Sequence, residues 1–126
     1  MAWFECTGGS GGGTTVTGYR RRYFGTLIPN VYIDNNNGTA VSYNNWSATD
    51  FLEITGDETS VCRVGGDVYN DKYNAFYDEN KVFISSFNTS DNQITIPQNA
   101  KYVRFSNITS TISSDGYFYY YFEETT

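Results

Sequence analysis

Residues 117–122 read Tyr-Phe-Tyr-Tyr-Tyr-Phe, six aromatic side chains in succession near the end of the chain. A β-strand sends alternate side chains to opposite faces. Phe118, Tyr120 and Phe122 then point one way, and Tyr117, Tyr119 and Tyr121 the other. The first set suits a hydrophobic core. The second is a row of phenols that has to meet something else, and this requirement governs the functional reading.

The rest of the sequence supports strands. No apolar i, i+3, i+4 stripe persists for ten residues, so no helix is expected. Turn signals recur at short intervals: DNNNG (34–38), TGD (55–57), GGD (65–67), DENK (78–81), TSDN (89–92), PQN (97–99) and SSDG (113–116). Between them lie segments of period-two patterning. NVYI (30–33) and AVSY (40–43) flank the first turn. DFLEI (50–54) sets Leu52 and Ile54 against Phe51 and Glu53. YNAFY (73–77) and VFISSF (82–87) flank DENK as a hairpin. QITI (93–96) ends at Pro97, which cannot donate to a ladder. KYVRFS (101–106) buries Val103 and Phe105 and turns Tyr102 and Arg104 outward. The expected fold is all-β, a two-sheet antiparallel sandwich of jelly-roll type over residues 27–126. The outward positions are mostly Tyr and the inward ones mostly Phe, Leu, Ile and Val, so a Tyr-lined outer face larger than a monomer normally shows is expected.

Residues 1–26 differ from the rest. An apolar tip (Trp3, Phe4) precedes a glycine-serine tract, and the arginine run Arg20, Arg21, Arg22 follows it. The segment reads as an N-terminal arm with its anchor at the tip and a hinge behind. The glycine tract lacks the Gly-Lys-Ser/Thr and the strand-to-helix context of a phosphate loop. Cys6 and Cys62 allow one disulfide or two free thiols, and the spacing does not choose.

Composition narrows the class. Aromatic residues reach 18%, with 12 Tyr and 9 Phe, while charged residues are 17%. Tyr combines contact area with a polar tip, which suits half-wet surfaces and interfaces. The net charge of −6 and a single basic cluster exclude phosphate-backbone binding as an expectation, so no nucleic-acid partner is expected. No apolar run is long enough for a membrane helix. The opening MAWFECTGG has neither the basic nor the long apolar region of a secretory signal. An extracellular composition without such a signal fits a protein released by lysis inside an assembled particle.

NNWSATDFLEITG, YNAFYDENKVFISSFN and ITIPQNAKYVRFSN resemble a jelly-roll domain of tailed-bacteriophage tail, fibre and receptor-binding proteins. That domain is related to galactose-binding and carbohydrate-binding modules. The matching residues are Trp46, Asp50, Phe51 and Leu52, then residues 75–81 with Phe83 and Ile84, and finally Ile96, Pro97 and residues 99–106. The glycine-rich opening is similar to the starts of small virion proteins of phages of Gram-positive hosts. The resemblance implies a virion-attached or cell-surface sandwich that binds glycans or neighbouring subunits and carries no shared catalytic residues. Read without the family, Trp46 is a sandwich-edge core residue, with a sugar platform as the alternative.

Histidine is absent, which removes the usual Ser-His-Asp and Cys-His arrangements. Most carboxylates fall in turns, where solubility explains them, and no enzyme is expected. Residues 34–45 begin like a calcium loop, but Gly38 falls at the fifth place and Asn45 at that of the bidentate Glu, so the pattern fails. A calcium among Asp67, Asp71 and nearby carbonyls is the one cofactor left open. The expected function is a phage virion structural protein with a sandwich for host-surface glycans. Its ligand or interface residues are Glu53, Tyr102, Arg104, Tyr117, Tyr119 and Tyr121, and its anchor is Trp3, Phe4 and Arg20 to Arg22. Its expected partners are other virion subunits, further copies of itself and surface glycans. Two alternatives stay open. One is a capsid decoration or head-fibre protein whose Tyr face joins copies of the chain. The other is a secreted carbohydrate-binding module.

Overall fold

Alternation and turn chemistry make strands the only regular elements among the described residues, and every pairing is antiparallel. The computed structural model describes residues 3–8, 15–56, 58–62, 73–88 and 93–125. In chain order the strands are β1 (Trp3–Gly8), β2 (Thr15–Tyr23), β3 (Leu27–Ile33), β4 (Ala40–Thr49), β5 (Leu52–Glu53) and β6 (Glu58–Cys62). They continue with β7 (Asn74–Tyr77), β8 (Phe83–Phe87), β9 (Gln93–Thr95), β10 (Tyr102–Arg104), β11 (Ser106–Ile108) and β12 (Tyr117–Thr125).

One sheet has the order β1-β2-β12-β6-β9. A second has the order β5-β10-β7-β8, and a third β11-β4-β3. The second and third are joined along shared chain. β4 leads into β5 and β10 into β11, and Thr49 N donates to Phe105 O at 2.8 Å where the two sheets meet. Between the five-stranded sheet and this composite layer lies the principal core. Phe118, Tyr120 and Val61 come from one side and Leu52, Phe76, Phe87, Val103 and Phe105 from the other. Phe24, just after β2, packs among them. The architecture is therefore an antiparallel β-sandwich, as the alternation predicted.

The turns form as their side chains dictate. Asp78 accepts from the N–H groups of Asn80 and Val82 at 2.8 and 3.0 Å, closing the β7–β8 hairpin. Asp34 and Asn37 do the same for Asn36 and Thr39 in the β3–β4 turn.

That β3–β4 turn has a larger role. Ile33, Ala48, Ala75 and Tyr77 form a second buried cluster, with Val31, Phe51, Phe83 and Tyr102 packed against it. These residues lie on the side of β7 and β10 away from the principal core. The β3–β4 hairpin thus curls over the outer face of its own layer. The Tyr77 hydroxyl donates to Gly38 O at 2.6 Å, and Ser106 Oγ accepts from Ile33 N at 3.0 Å.

One expectation needs correction. Residues 1–26 were set apart as an arm, but β2 lies between β1 and β12 inside the sheet and Phe24 is in the core. The misreading has a physical cause. The inward positions of β2 are Val16, Gly18, Arg20 and Arg22, only one of them apolar, so the segment shows no sustained apolar alternation. Deleting residues 1–26 would strip a full-length neighbour from β12. The strand order also answers the cysteine question. Cys6 in β1 and Cys62 in β6 are separated by β2 and β12, three strand spacings of ~4.8 Å or ~14 Å. A disulfide spans at most ~7 Å between Cα atoms, so these two cysteines do not pair within one chain. The residues of the proposed calcium site, Asp67 and Asp71, lie outside the described residues.

Gly38 offers a test of the covering hairpin. Its φ is +70°, and a Cβ there would sit 2.5 Å from Phe83 Cδ1 and 3.0 Å from Tyr77 Cε2. Gly38→Ala should destabilise the protein by ~1–3 kcal/mol in chemical denaturation. A loss below ~0.5 kcal/mol, the level of an ordinary surface substitution, would contradict the packing of this turn on Tyr77.

Candidate functional site

β12 and β2 pair over nine positions, from Tyr117 opposite Tyr23 to Thr125 opposite Thr15. This register places Tyr119 beside Arg21 and Tyr121 beside Tyr19. The odd-numbered residues of both strands therefore share the outer face of the five-stranded sheet. Ring centroids are 5.4 Å apart for Tyr19–Tyr121, 6.0 Å for Tyr23–Tyr117 and 5.7 Å for Tyr117–Tyr119. The Arg21 guanidinium lies 4.4 Å from the centre of the Tyr117 ring. It donates to the Tyr119 hydroxyl at 2.8 Å and to the Tyr23 hydroxyl at 3.2 Å. These bonds, first to Tyr23 and then to Tyr119, hold the arginine still more firmly in its charged form. A cation on an aromatic face is attracted by the ring quadrupole, so Arg21 ties the tyrosines into one lattice. Tyr117 and Tyr121 are half-buried, Tyr23 is 49% exposed, and Tyr119 is buried at 8%.

The other three expected ligand residues stand elsewhere. Glu53 and Tyr102 are opposite each other in β5 and β10, in the second layer of the sandwich. The outer faces of two packed sheets point away from each other, so the six residues cannot make one site. Glu53 is exposed and Tyr102 half-buried. Arg104 was expected to point into water, but it is only 5% exposed. Its Nε donates to Thr49 O at 2.9 Å and its guanidinium lies 4.6 Å from the centre of the Phe51 ring. It does face outward from β10, but the covering hairpin makes that face an interior. Burial lowers the pKa of Arg104 and, against the opposing charge of Arg104, pushes Tyr77 up to about 12.

The arginine run divides by parity. Arg20 turns to the core side, where Nη1 meets Glu58 Oε1 at 2.9 Å. The other Glu58 oxygen accepts from Thr55 N, Thr55 Oγ1 and Gly56 N at 2.7–3.1 Å. Arg20 is thus an internal strut between β2 and the 55–58 turn. Arg22 lies on the same side, with its Nε buried and without a hydrogen bond. Only Arg21 belongs to the aromatic face. Trp3 and Phe4 pair in register with Arg20 and Tyr19, and their side chains lie outside the described part of the structure.

Sequence reasoning missed half of the face. Tyr19, Arg21 and Tyr23 follow the same period-two rule as β12, but the adjacent arginines masked it. It also missed a concave feature on the opposite layer. Tyr32, Tyr43, Trp46 and Tyr73 line a cavity of about 260 Å³. Their rings meet edge to face with centroids 5.2–6.0 Å apart. Trp46 had been read as an edge residue of the core, with a sugar platform as the alternative; it is half-buried in the wall of this cup.

No family model matches the chain, and no curated protein or solved structure is significantly similar to it. Among the described residues no three His, Cys, Asp or Glu side chains are grouped to hold a metal ion.

The buried phenols give a pH signature. Tyr120 is held in its neutral form first by burial and then by the charge of Glu58, and its hydroxyl donates to Glu53 O. A tyrosine pKa raised in the folded state gives stability that is complete below the unfolded value of ~10 and is lost as pH rises beyond it. Denaturation between pH 9 and about 12 should show stability falling steadily, with Tyr77→Phe flattening the fall. A pH-independent stability across that window would contradict the burial of these two phenols.

Proposed function

We propose that this protein is a structural component of a bacteriophage particle that uses its sandwich to hold host-surface glycans. The observation that carries the reading is the Tyr–Arg face of β2 and β12. Tyr19, Tyr23, Tyr117 and Tyr121 offer flat ring area on a rigid sheet, and Arg21 fixes their spacing. Sugars lay their apolar faces on such rings, while polar groups beside them meet the hydroxyls. The jelly-roll resemblance of residues 44–106, the acidic charge and the Tyr-rich composition agree with it. In this reading the partners are surface glycans and other subunits of the particle, and the place of action is the virion.

A second reading is favoured by one observation. The Arg21 donors and the Tyr119 hydroxyl already bond to each other, so the face presents ring area more than free donors. That suits a protein surface, and the natural occupant is another copy of the chain or a neighbouring virion subunit.

The double variant Tyr117→Ala, Tyr121→Ala separates the readings, because both side chains are half-buried and the core set Phe118, Tyr120 and Phe122 is untouched. Glycan adhesion predicts a monomer by sedimentation that binds host cell-wall glycans, with affinity falling at least about tenfold in the variant. Assembly predicts an oligomer that the variant dissociates. A monomer whose glycan binding the variant leaves unchanged would contradict both.

A further inference from the structure

The cup around Trp46 arises from an irregularity in the β3–β4 pairing. Pro29 is opposite Ser47, and Val31 is opposite Ser42. Between these pairs β3 has one residue, Asn30, while β4 has four, Tyr43, Asn44, Asn45 and Trp46. Asn30 and Asn45 both adopt left-handed backbone, with φ of 60° and 69°. Such bulges re-aim side chains and gather beside functional sites, and left-handed non-glycine residues persist where the surroundings hold them. Here the bulge pushes out Tyr43, which is 57% exposed, and turns Trp46 against Tyr32 and Tyr73.

The chemistry of the cup is specific. The described residues that line it, Tyr32, Tyr43, Trp46 and Tyr73, carry no charge, so it suits a neutral ligand. Its volume is below the ~300–1,000 Å³ of sites for drug-sized molecules, so it suits a single ring. The hydroxyls of Tyr32 and Tyr43 and the Trp46 indole N–H make no hydrogen bond among the described residues. They reach solvent at the rim of the cup and can exchange water for a ligand's hydroxyls. A second, more open cavity shares Tyr43 and Trp46 and adds Asn44, Asn45 and Ile108. Ring faces, solvent-reaching hydroxyls and amides thus converge on one spot.

We infer that the Trp46 cup binds the terminal pyranose of a neutral glycan, with the next sugar lying in the adjoining cavity beside Asn44 and Asn45. This goes beyond the Tyr–Arg face, which is built from the other sheet. A quaternary ammonium also favours aromatic walls, but among the described residues no carboxylate lines the cup to balance its charge, and a sugar's hydroxyls match the Tyr32, Tyr43 and Trp46 polar groups better.

The test is NMR titration of labelled protein with glucose, galactose, N-acetylglucosamine and their β-linked disaccharides, with choline as a parallel probe. The chain has two tryptophans, and Trp46→Phe assigns their indole signals. The expected result is a saturable shift of the Trp46 indole signal with at least one of the sugars. Tyr43→Ala, at an exposed position, should weaken that binding about fivefold. No Trp46 shift with any sugar, a shift with choline alone, or sugar binding indifferent to Tyr43→Ala would overturn the inference. None of those results bears on the Tyr–Arg face, which stands or falls on its own double variant.

Discussion

The antiparallel pairing of β12 with β2 is the contact on which the rest depends. It runs for nine positions without a register shift, and it places a six-aromatic run near the centre of a five-stranded sheet. Once that register is set, alternation does the remaining work. Phe118, Tyr120 and Phe122 enter the core and the odd-numbered phenols do not. The same register sends Arg20 inward to Glu58 and leaves Arg21 outside among the tyrosines. A slip of one residue would exchange the two sets and place charge and hydroxyls where Phe105 and Val103 now pack.

The two layers treat their outer faces differently. Over β7 and β10 the β3–β4 hairpin folds back, and Arg104, Phe51 and Tyr77 become the interior of a small second core. Over β2 and β12 no described strand does so. A surface rich in tyrosine can be made stable in either way: covered by its own chain, or cross-linked by a cation and left to a partner. The hairpin that covers one layer also supplies the bulge that shapes the Trp46 cup, so covering one face and creating one cavity are consequences of the same segment.

Much of this was legible in the sequence. The strand character, the DENK hairpin, the inward set at 52, 54, 103 and 105 and the split of the C-terminal run all follow from alternation and turn residues. Three features were not legible. β2 lacks a sustained apolar alternate set, because Gly18, Arg20 and Arg22 follow Val16 at its inward positions, and it passed for a flexible arm. Arg104 stands at an outward position, where period-two reasoning predicts water; only the long-range return of the hairpin buries it. The cup depends on a four-against-one bulge, and neither Asn30 nor Asn45 announces a left-handed backbone among so many asparagines. Local rules fix which way a side chain leaves its strand. They do not say what arrives on that side later.

The central claim is the division of the C-terminal tyrosines between two faces. Limited nitration of the native protein, read residue by residue by mass spectrometry, tests it most directly. The account predicts that Tyr23, Tyr117 and Tyr121 react early, while Tyr120 and Tyr77 stay protected until the protein unfolds. Tyr120 reacting as readily as Tyr117 in the folded protein would contradict it.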